Sequence, residues 1–259
     1  MASTLKEIVE NNAFVKSVHE DPILHHMPPD VNVNPPFMFL GCSDSRVSEG
    51  TIFQNVLPGV LFAERNIANQ FLPNDNNVQS ALAYAVSALG VTHVIVMGHY
   101  DCGGCLAATK PRPTGALDFA SASVQNWIEP IRNLFATSDR FEVSEHRKVP
   151  AAERALVDEL KVVVKNDPEF VPVHALIEEN VKVTVRRIYE SATIQNHYAK
   201  LSAECNVEGN AEPPQDEIQP VFIHGFVYDL EEARVLNLGV SLGPPGFDIP
   251  PIPFRPVHR

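Results

Sequence analysis

The chain has 259 residues, 44% of them hydrophobic and 20% charged, an ordinary globular composition long enough for one large domain with a sizeable core. Its formal net charge of −12 at pH 7 sets nucleic acid and anionic membrane surfaces aside as partners, because both carry charge of the same sign. Four cysteines are too few for a disulfide framework at this size and point to a reducing compartment.

Met1–Glu10 mixes charges with apolar residues and has no continuous apolar stretch, so it does not read as a secretory signal; the expected location is the cytoplasm. No run approaches the ~18 apolar residues of a membrane span. Residues 4–19 read as a helix, with Thr4 and Glu7 as a capping box, and form the start of an N-terminal arm over 1–34. The proline-rich segment to Pro36 leads into a strand at Phe37–Gly41. A helical turn at Glu49–Val56 and a Pro58-Gly59 turn precede a second strand, Val60–Ala63, and a loop at Arg65–Asn69. Asn74–Asn77 offer N-caps for a helix whose apolar residues Val78, Ala81, Leu82, Ala85, Val86 and Leu89 make a 3.6-residue stripe that Gly90 stops.

A third strand follows at Val94–Met97. Pro111, Pro113 and Gly115 mark a loop, and Val124–Phe135 reads as a helix interrupted by Pro130. Residues 138–150 are polar and carry no clear pattern. Leu156, Val157, Leu160, Val163 and Val164 suit an amphipathic helix, as do Ile177, Val181, Thr184, Val185 and Ile188. Glu208–Gln219 reads as a linker, Val221–Val227 and Arg234–Leu238 as an antiparallel hairpin, and Pro244–Pro256 as a tail lying on a surface. Strands separated by helices predict an α/β fold with a mostly parallel sheet and an antiparallel C-terminal edge strand. One domain is expected, with a core over 35–240, an insertion over about 111–172 and a tail over 241–259.

The chemistry gathers after two of these strands. Phe37-Met38-Phe39-Leu40-Gly41 runs into Cys42-Ser43-Asp44-Ser45-Arg46, and Val94-Ile95-Val96-Met97-Gly98 runs into His99-Tyr100-Asp101-Cys102-Gly103-Gly104. In an open α/β sheet ligands bind beyond the carboxyl ends of strands, so both groups belong to one sheet edge. Cys42, His99 and Cys102 make a Cys₂His set suited to zinc with one coordination position open. Buried thiols without a metal are one alternative. The Cys102-Gly103-Gly104-Cys105 spacing offers another, a redox pair, which leaves His99 and Cys42 unexplained. Asp44 and Arg46 read as a carboxylate held by a guanidinium fork beside the ion, and Cys105 and Cys205 as bystanders.

These two stretches resemble the paired signature motifs of the β-class carbonic anhydrases. The resemblance extends through Pro58–Phe62, Arg65–Asn69, Glu178–Val181 and His224–Asp229. It implies one Zn²⁺ per subunit on Cys42, His99 and Cys102, with Asp44 and Arg46 as a catalytic dyad and CO₂ and bicarbonate as substrates. It further implies that Phe62 is an apolar wall of the substrate pocket, Tyr84 an aromatic group near it at a subunit interface, and Gly103 a backbone donor. A homodimer or larger homo-oligomer is implied as well. Many members carry Gln where this chain has Val33, so Val33 is expected to offer the pocket an apolar surface instead. The implied reaction is hydration of CO₂ by zinc-bound hydroxide. A carbonyl sulfide hydrolase using the same nucleophile and a non-catalytic zinc-binding module are the competing readings.

Overall fold

The computed structural model describes residues 34–53, 59–151, 153–154, 172–208 and 218–257. The expected helices at 4–19 and around 156–164, residue Val33 and most of the 208–219 linker lie outside them. In chain order the elements are β1 (Phe37–Cys42), α1 (Glu49–Ile52), β2 (Leu61–Asn66), a 3₁₀ turn (Ile67–Asn69), α2 (Asn76–Ser87), β3 (His93–His99), α3 (Gly103–Ala108), α4 (Phe119–Trp127), α5 (Glu129–Thr137), α6 (Phe141–Lys148), α7 (Pro172–Glu190), α8 (Ala192–Glu208), β4 (Phe222–Asp229), β5 (Arg234–Leu242) and β6 (Arg255–Pro256).

The strands form one sheet in the order β2-β1-β3-β4-β5-β6. β2, β1, β3 and β4 are parallel, β5 runs antiparallel to β4, and β6 follows β5 in parallel. The expected α/β class with a mostly parallel sheet and an antiparallel C-terminal strand is therefore the observed one. Parallel strands are buried on both faces and read as continuous apolar runs, as β1 and β3 do. One face carries Phe39, Ile95, Met97 and Phe226 together with Ile128, Ile131, Phe135, Leu176 and Ile177. The other carries Met38, Leu40, Val94 and Val96 against α2, α7 and α8 through Leu82, Val181, Val185, Ile194 and Tyr198.

Local chemistry explains most boundaries. The Asp75 side chain accepts a hydrogen bond from the Asn77 amide at the start of α2, and Gly90 takes a left-handed turn (φ 67°) after its end, as the capping pattern predicts. The apolar stripe of α7 is fully interior: Ile177, Val181, Thr184, Val185 and Ile188 are all buried. Gly98 permits that packing, because a Cβ there would sit 2.5 Å from Val181 Cγ2. Pro130 falls in the first turn of α5, where its missing N–H has no intrahelical acceptor to lose. The predicted single interrupted helix is thus two helices meeting at Ile128. The polar stretch 138–150 contains a helix too, anchored by buried Val143 and His146. The tail packs on the chain's own sheet: Phe254 meets the Phe226 ring edge-on at 5.0 Å, and β6 pairs with β5.

Across the middle of the sheet, His93 Nδ1 lies 3.0 Å from His224 Nε2, and His224 Nδ1 lies 3.0 Å from Ser241 Oγ. Burial, and then His93 alongside, lowers the His224 pKa from 6.5 to about 4. A histidine that is harder to protonate in the folded state than in the unfolded chain stabilises the fold above pH 6.5. That contribution is lost as pH falls from there toward 4, because the unfolded chain takes the proton first. The shift corresponds to roughly 3 kcal/mol. Urea midpoints are expected to fall across that window in the wild type and to fall less in His224→Phe; parallel profiles would show that the imidazole pair does not set the acid sensitivity.

Candidate metal centre and its carboxylate

The site forms where β1 and β3 end side by side. The register sets Gly41 opposite Met97, so Cys42 and His99 emerge at the same end of the sheet. A turn through Tyr100 and Asp101, the latter in the left-handed region (φ 58°), brings Cys102 back as the residue preceding α3. One ligand atom from each of Cys42, His99 and Cys102 lies within 4.8 Å of the others, and all three residues are buried. Among the described residues this is the group of His, Cys, Asp and Glu side chains with that geometry. Cys105, the other member of the C-x-x-C spacing, is buried inside α3 and stands outside the group. Cys42, Cys102 and Cys105 are free thiols.

The donors fit zinc. Cys42 Sγ and Cys102 Sγ are 4.0 Å apart, close to the ~3.8 Å that two tetrahedral Zn–S bonds of ~2.3 Å span. His99 Nδ1 lies 2.8 Å from the Tyr100 carbonyl. A carbonyl only accepts, so Nδ1 carries the proton and Nε2 carries the lone pair. That Nε2 is buried and has no hydrogen-bond partner among the described residues, an arrangement that costs stability unless a Lewis acid meets it. Cys102 alongside and burial push the Cys42 thiol up to about 12. The Cys102 thiol is raised as well, first by Cys105 and further by burial, with Cys42 pulling the other way. Two thiolates in such a place need a cation.

Beside the group, Asp44 is fixed by Arg46. Arg46 Nε donates to Asp44 Oδ1 at 2.9 Å and Nη2 to Oδ2 at 2.7 Å, while the Arg46 amide donates to Oδ1 at 2.9 Å. The Arg46 hydrogen bonds hold the carboxyl well below the usual carboxylate range. The Asp44 side chain is 20% exposed, so it is accessible, and the Arg46 hydrogen bonds favour its ionised form. Arg46 Nη2 also donates to the Asp101 carbonyl, tying the carboxylate to the turn between His99 and Cys102.

A second layer holds the loops in place. Arg65, expected in a loop, closes β2 and donates to the carbonyls of Cys42 (3.0 Å) and Asp44 (2.7 Å). In the 3₁₀ turn, Ala68 adopts φ 61°, ψ 32°, a conformation costing a non-glycine residue roughly 1–2 kcal/mol. It points the Ala68 amide at Cys42 Sγ, 3.3 Å away. Asn180 Nδ2 holds the Ala68 carbonyl at 2.9 Å, and Trp127 Nε1 holds the Ile67 carbonyl at 2.8 Å. Gly104 lets α3 approach this turn, since a Cβ there would meet Ile67 Cγ2 at 2.8 Å. The 111–172 segment, through Trp127, is therefore part of the site's support.

The remaining predicted positions divide. Gly103 opens α3 directly after Cys102 with free space where a Cβ would stand, and the first amides of a helix have no intrahelical acceptor. Phe62 and Tyr84 pack on each other, ring centroids 5.9 Å apart, but not beside Cys42. Phe62 lies four residues before Asn66, the partner of Cys42 across the β1–β2 ladder, which is ~13 Å along a strand. The edge strand β2 and the 55% exposed Tyr84 instead form an outer face. Sequence reasoning named no role for Arg65, Asn180 or Trp127, whose partners are set only by the tertiary fold.

A family model described as carbonic anhydrase matches residues 37–211. A carbonic anhydrase of Candida albicans is 30% identical over 243 residues, 89% of this chain and 76% of the relative. One from Emericella nidulans is 28% identical over 208 residues, 80% and 71% of the two chains. Among solved structures, the Coccomyxa β-carbonic anhydrase in complex with acetazolamide aligns with TM-score 0.61 and 25% identity over 92% of this chain and 87% of that one. One of two tetrameric β-carbonic anhydrases from Sordaria macrospora shares the fold, with TM-score 0.63 at 24% identity over 92% and 97%. The mixed sheet of mostly parallel strands flanked by helices is what the chain shares with these solved structures. The chain belongs to the carbonic anhydrase family, in its β class.

Proposed function

We propose that this chain catalyses the reversible hydration of CO₂ to bicarbonate and a proton at one Zn²⁺ per subunit, held by Cys42, His99 and Cys102. The observation that carries the reading is the convergence of two buried thiols and an unpartnered imidazole lone pair beside an arginine-fixed carboxylate. Bound there, zinc supplies a Lewis acid that makes water a nucleophile near neutral pH. Tyr100 O keeps His99 in the tautomer that offers Nε2. Arg65 and the Ala68 amide hold Cys42 at its place. Asp44, its ionised form favoured by Arg46, accepts a hydrogen bond from the attacking oxygen and orients it, while Arg46 keeps the carboxylate from turning toward the ligands. The Gly103 amide donates to a substrate oxygen.

Phe62 and Tyr84 serve a second copy of the chain in this reading. The support is their distance from the group in their own subunit and the exposed edge they form, which favours a homodimer or larger assembly. Val33, outside the described residues, is proposed as an apolar pocket position. No helix among the described residues is long and apolar enough to cross a membrane, and the cytoplasm is the proposed location.

Stopped-flow CO₂ hydration on zinc-analysed protein, run beside sulfide release from carbonyl sulfide, tests the assignment. Near-stoichiometric zinc with efficient CO₂ turnover is expected; zinc-loaded protein that leaves CO₂ hydration at the buffer rate would overturn it.

A further inference from the structure

Tyr100, the first of the two residues between His99 and Cys102, is anchored at its amide, ring and hydroxyl. Tyr100 accepts the His99 Nδ1 proton on its carbonyl at 2.8 Å and donates its own amide to the Tyr228 carbonyl at 3.0 Å. Its ring lies flat on His174, with centroids 3.7 Å apart and planes 6° from parallel. Its hydroxyl donates to Glu178 Oε1 at 2.9 Å. Glu178 is 2% exposed, and Arg140 Nη1 lies 2.7 Å from its other oxygen. A carboxylate that deep needs a counter-charge, and Arg140 supplies it from the residue preceding α6, outside the two signature motifs. Arg140 is itself held by Glu142 through Nε at 3.1 Å, by Glu179 at 3.2 Å and by the Ala175 carbonyl. Burial works against its charge, and Glu178 and Glu142 more than offset that, so the guanidinium pKa is raised.

We infer that Arg140, Glu178 and Tyr100 form a positioning chain that sets the orientation of the metal ligand His99, and through the same turn the place of Cys102. The inference rests on the zinc reading above. A tyrosine held at its amide, ring and hydroxyl has its Cα fixed in place, and the carbonyl that accepts from His99 hangs from that fixed point, with rotation about ψ as its one remaining backbone freedom. The polar stretch 138–150 thereby acquires a role in the metal site: it carries the cation that pairs with the buried Glu178 side chain. The Asp101 carbonyl, next along the turn, accepts from Arg46, which extends the chain's influence to the Asp44 carboxylate. None of the three residues is placed to touch the substrate; each acts through the next.

Groups of this kind that orient a ligand typically cost 10–100-fold in metal affinity when removed. Tyr100→Phe keeps the ring and the peptide and removes only the hydroxyl. Zinc affinity by chelator competition is expected to fall about 10-fold, with a changed absorption spectrum in the cobalt-substituted protein. Arg140→Met should reproduce both changes, and Arg140→Lys should recover part of the affinity. Wild-type zinc affinity and an unaltered cobalt spectrum in Tyr100→Phe and Arg140→Met overturn the inference while leaving the zinc reading intact. A lowered urea midpoint with an unaltered spectrum also overturns it, because the three residues would then be structural only. A wild-type protein that binds no zinc removes the reading and the inference together.

Discussion

Serine at Cys42 or Cys102, or alanine at His99, is expected to abolish both zinc retention and CO₂ hydration, whereas Cys105→Ser is expected to keep both. Structural zinc sites bind with ~10–16 kcal/mol of apparent free energy. Dividing that over the three donors leaves about 4 kcal/mol for each, so loss of one weakens binding roughly 1,000-fold, and loss of a thiolate also removes the charge that neutralises the ion. Cys105 is the control that separates this account from a redox pair. It lies three residues from Cys102 and is equally buried, yet it is not among the converging donors. Cys205→Ser is expected to behave like Cys105→Ser. Metal analysis and hydration rates on the five variants check the assignment, and a Cys105→Ser protein stripped of zinc would overturn it.

What could be read before the fold was known followed from local chemistry. Apolar runs ending in Gly41 and Gly98 identified two strand ends, and the rule that parallel sheets present ligands at their carboxyl edge joined Cys42 to His99 and Cys102. The stripe of α2, the interior face of α7 and the final hairpin were equally visible, because burial on one face writes a period into the sequence. The site's support was not visible. Trp127 meets the loop at Ile67, and Asn180 meets Ala68, through single side-chain hydrogen bonds between distant segments; nothing in the local sequence marks such bonds. The helix α6 escaped notice since its buried residues are few, Val143 and His146, within a polar run. α8 was missed for a related reason: its apolar residues Ile194, Tyr198 and Leu201 are spaced for a helix but diluted by polar neighbours. Arg65 read as a loop residue because β2 ends in charged and amide side chains. Arg65 is there to hold the Cys42 and Asp44 carbonyls and Asn66 to hold the Gln70 backbone, so the requirement of the site overrode the ordinary look of a strand.

Asp44→Asn is expected to lower kcat by roughly 100-fold or more, in the range seen when a positioned acid–base group is lost, while zinc content stays that of the wild type. The amide keeps the size of the carboxylate but replaces one acceptor oxygen with a donor, and it releases the fork that Arg46 makes with two oxygens. Arg46→Ala acts on the same carboxylate from the other side. It removes the donors at 2.9 and 2.7 Å, leaves Asp44 free to swing toward the ligand group, and should also lower kcat with zinc retained. Arg46→Lys discriminates between charge and geometry. Lysine restores the positive charge but not the planar fork that binds both oxygens at once, so if orientation is what matters the activity stays low. The pH dependence gives a further check. Because Arg46 holds the Asp44 carboxyl well below the usual range, Asp44 does not gain a proton at any pH from 5 to 9, and a change of rate across that interval has another origin. Asp44→Asn should therefore lower the whole profile without moving its inflection. A shifted inflection in Asp44→Asn, or full activity in Arg46→Lys, would mean that the carboxylate contributes its charge to the reaction and that its fixed orientation is incidental.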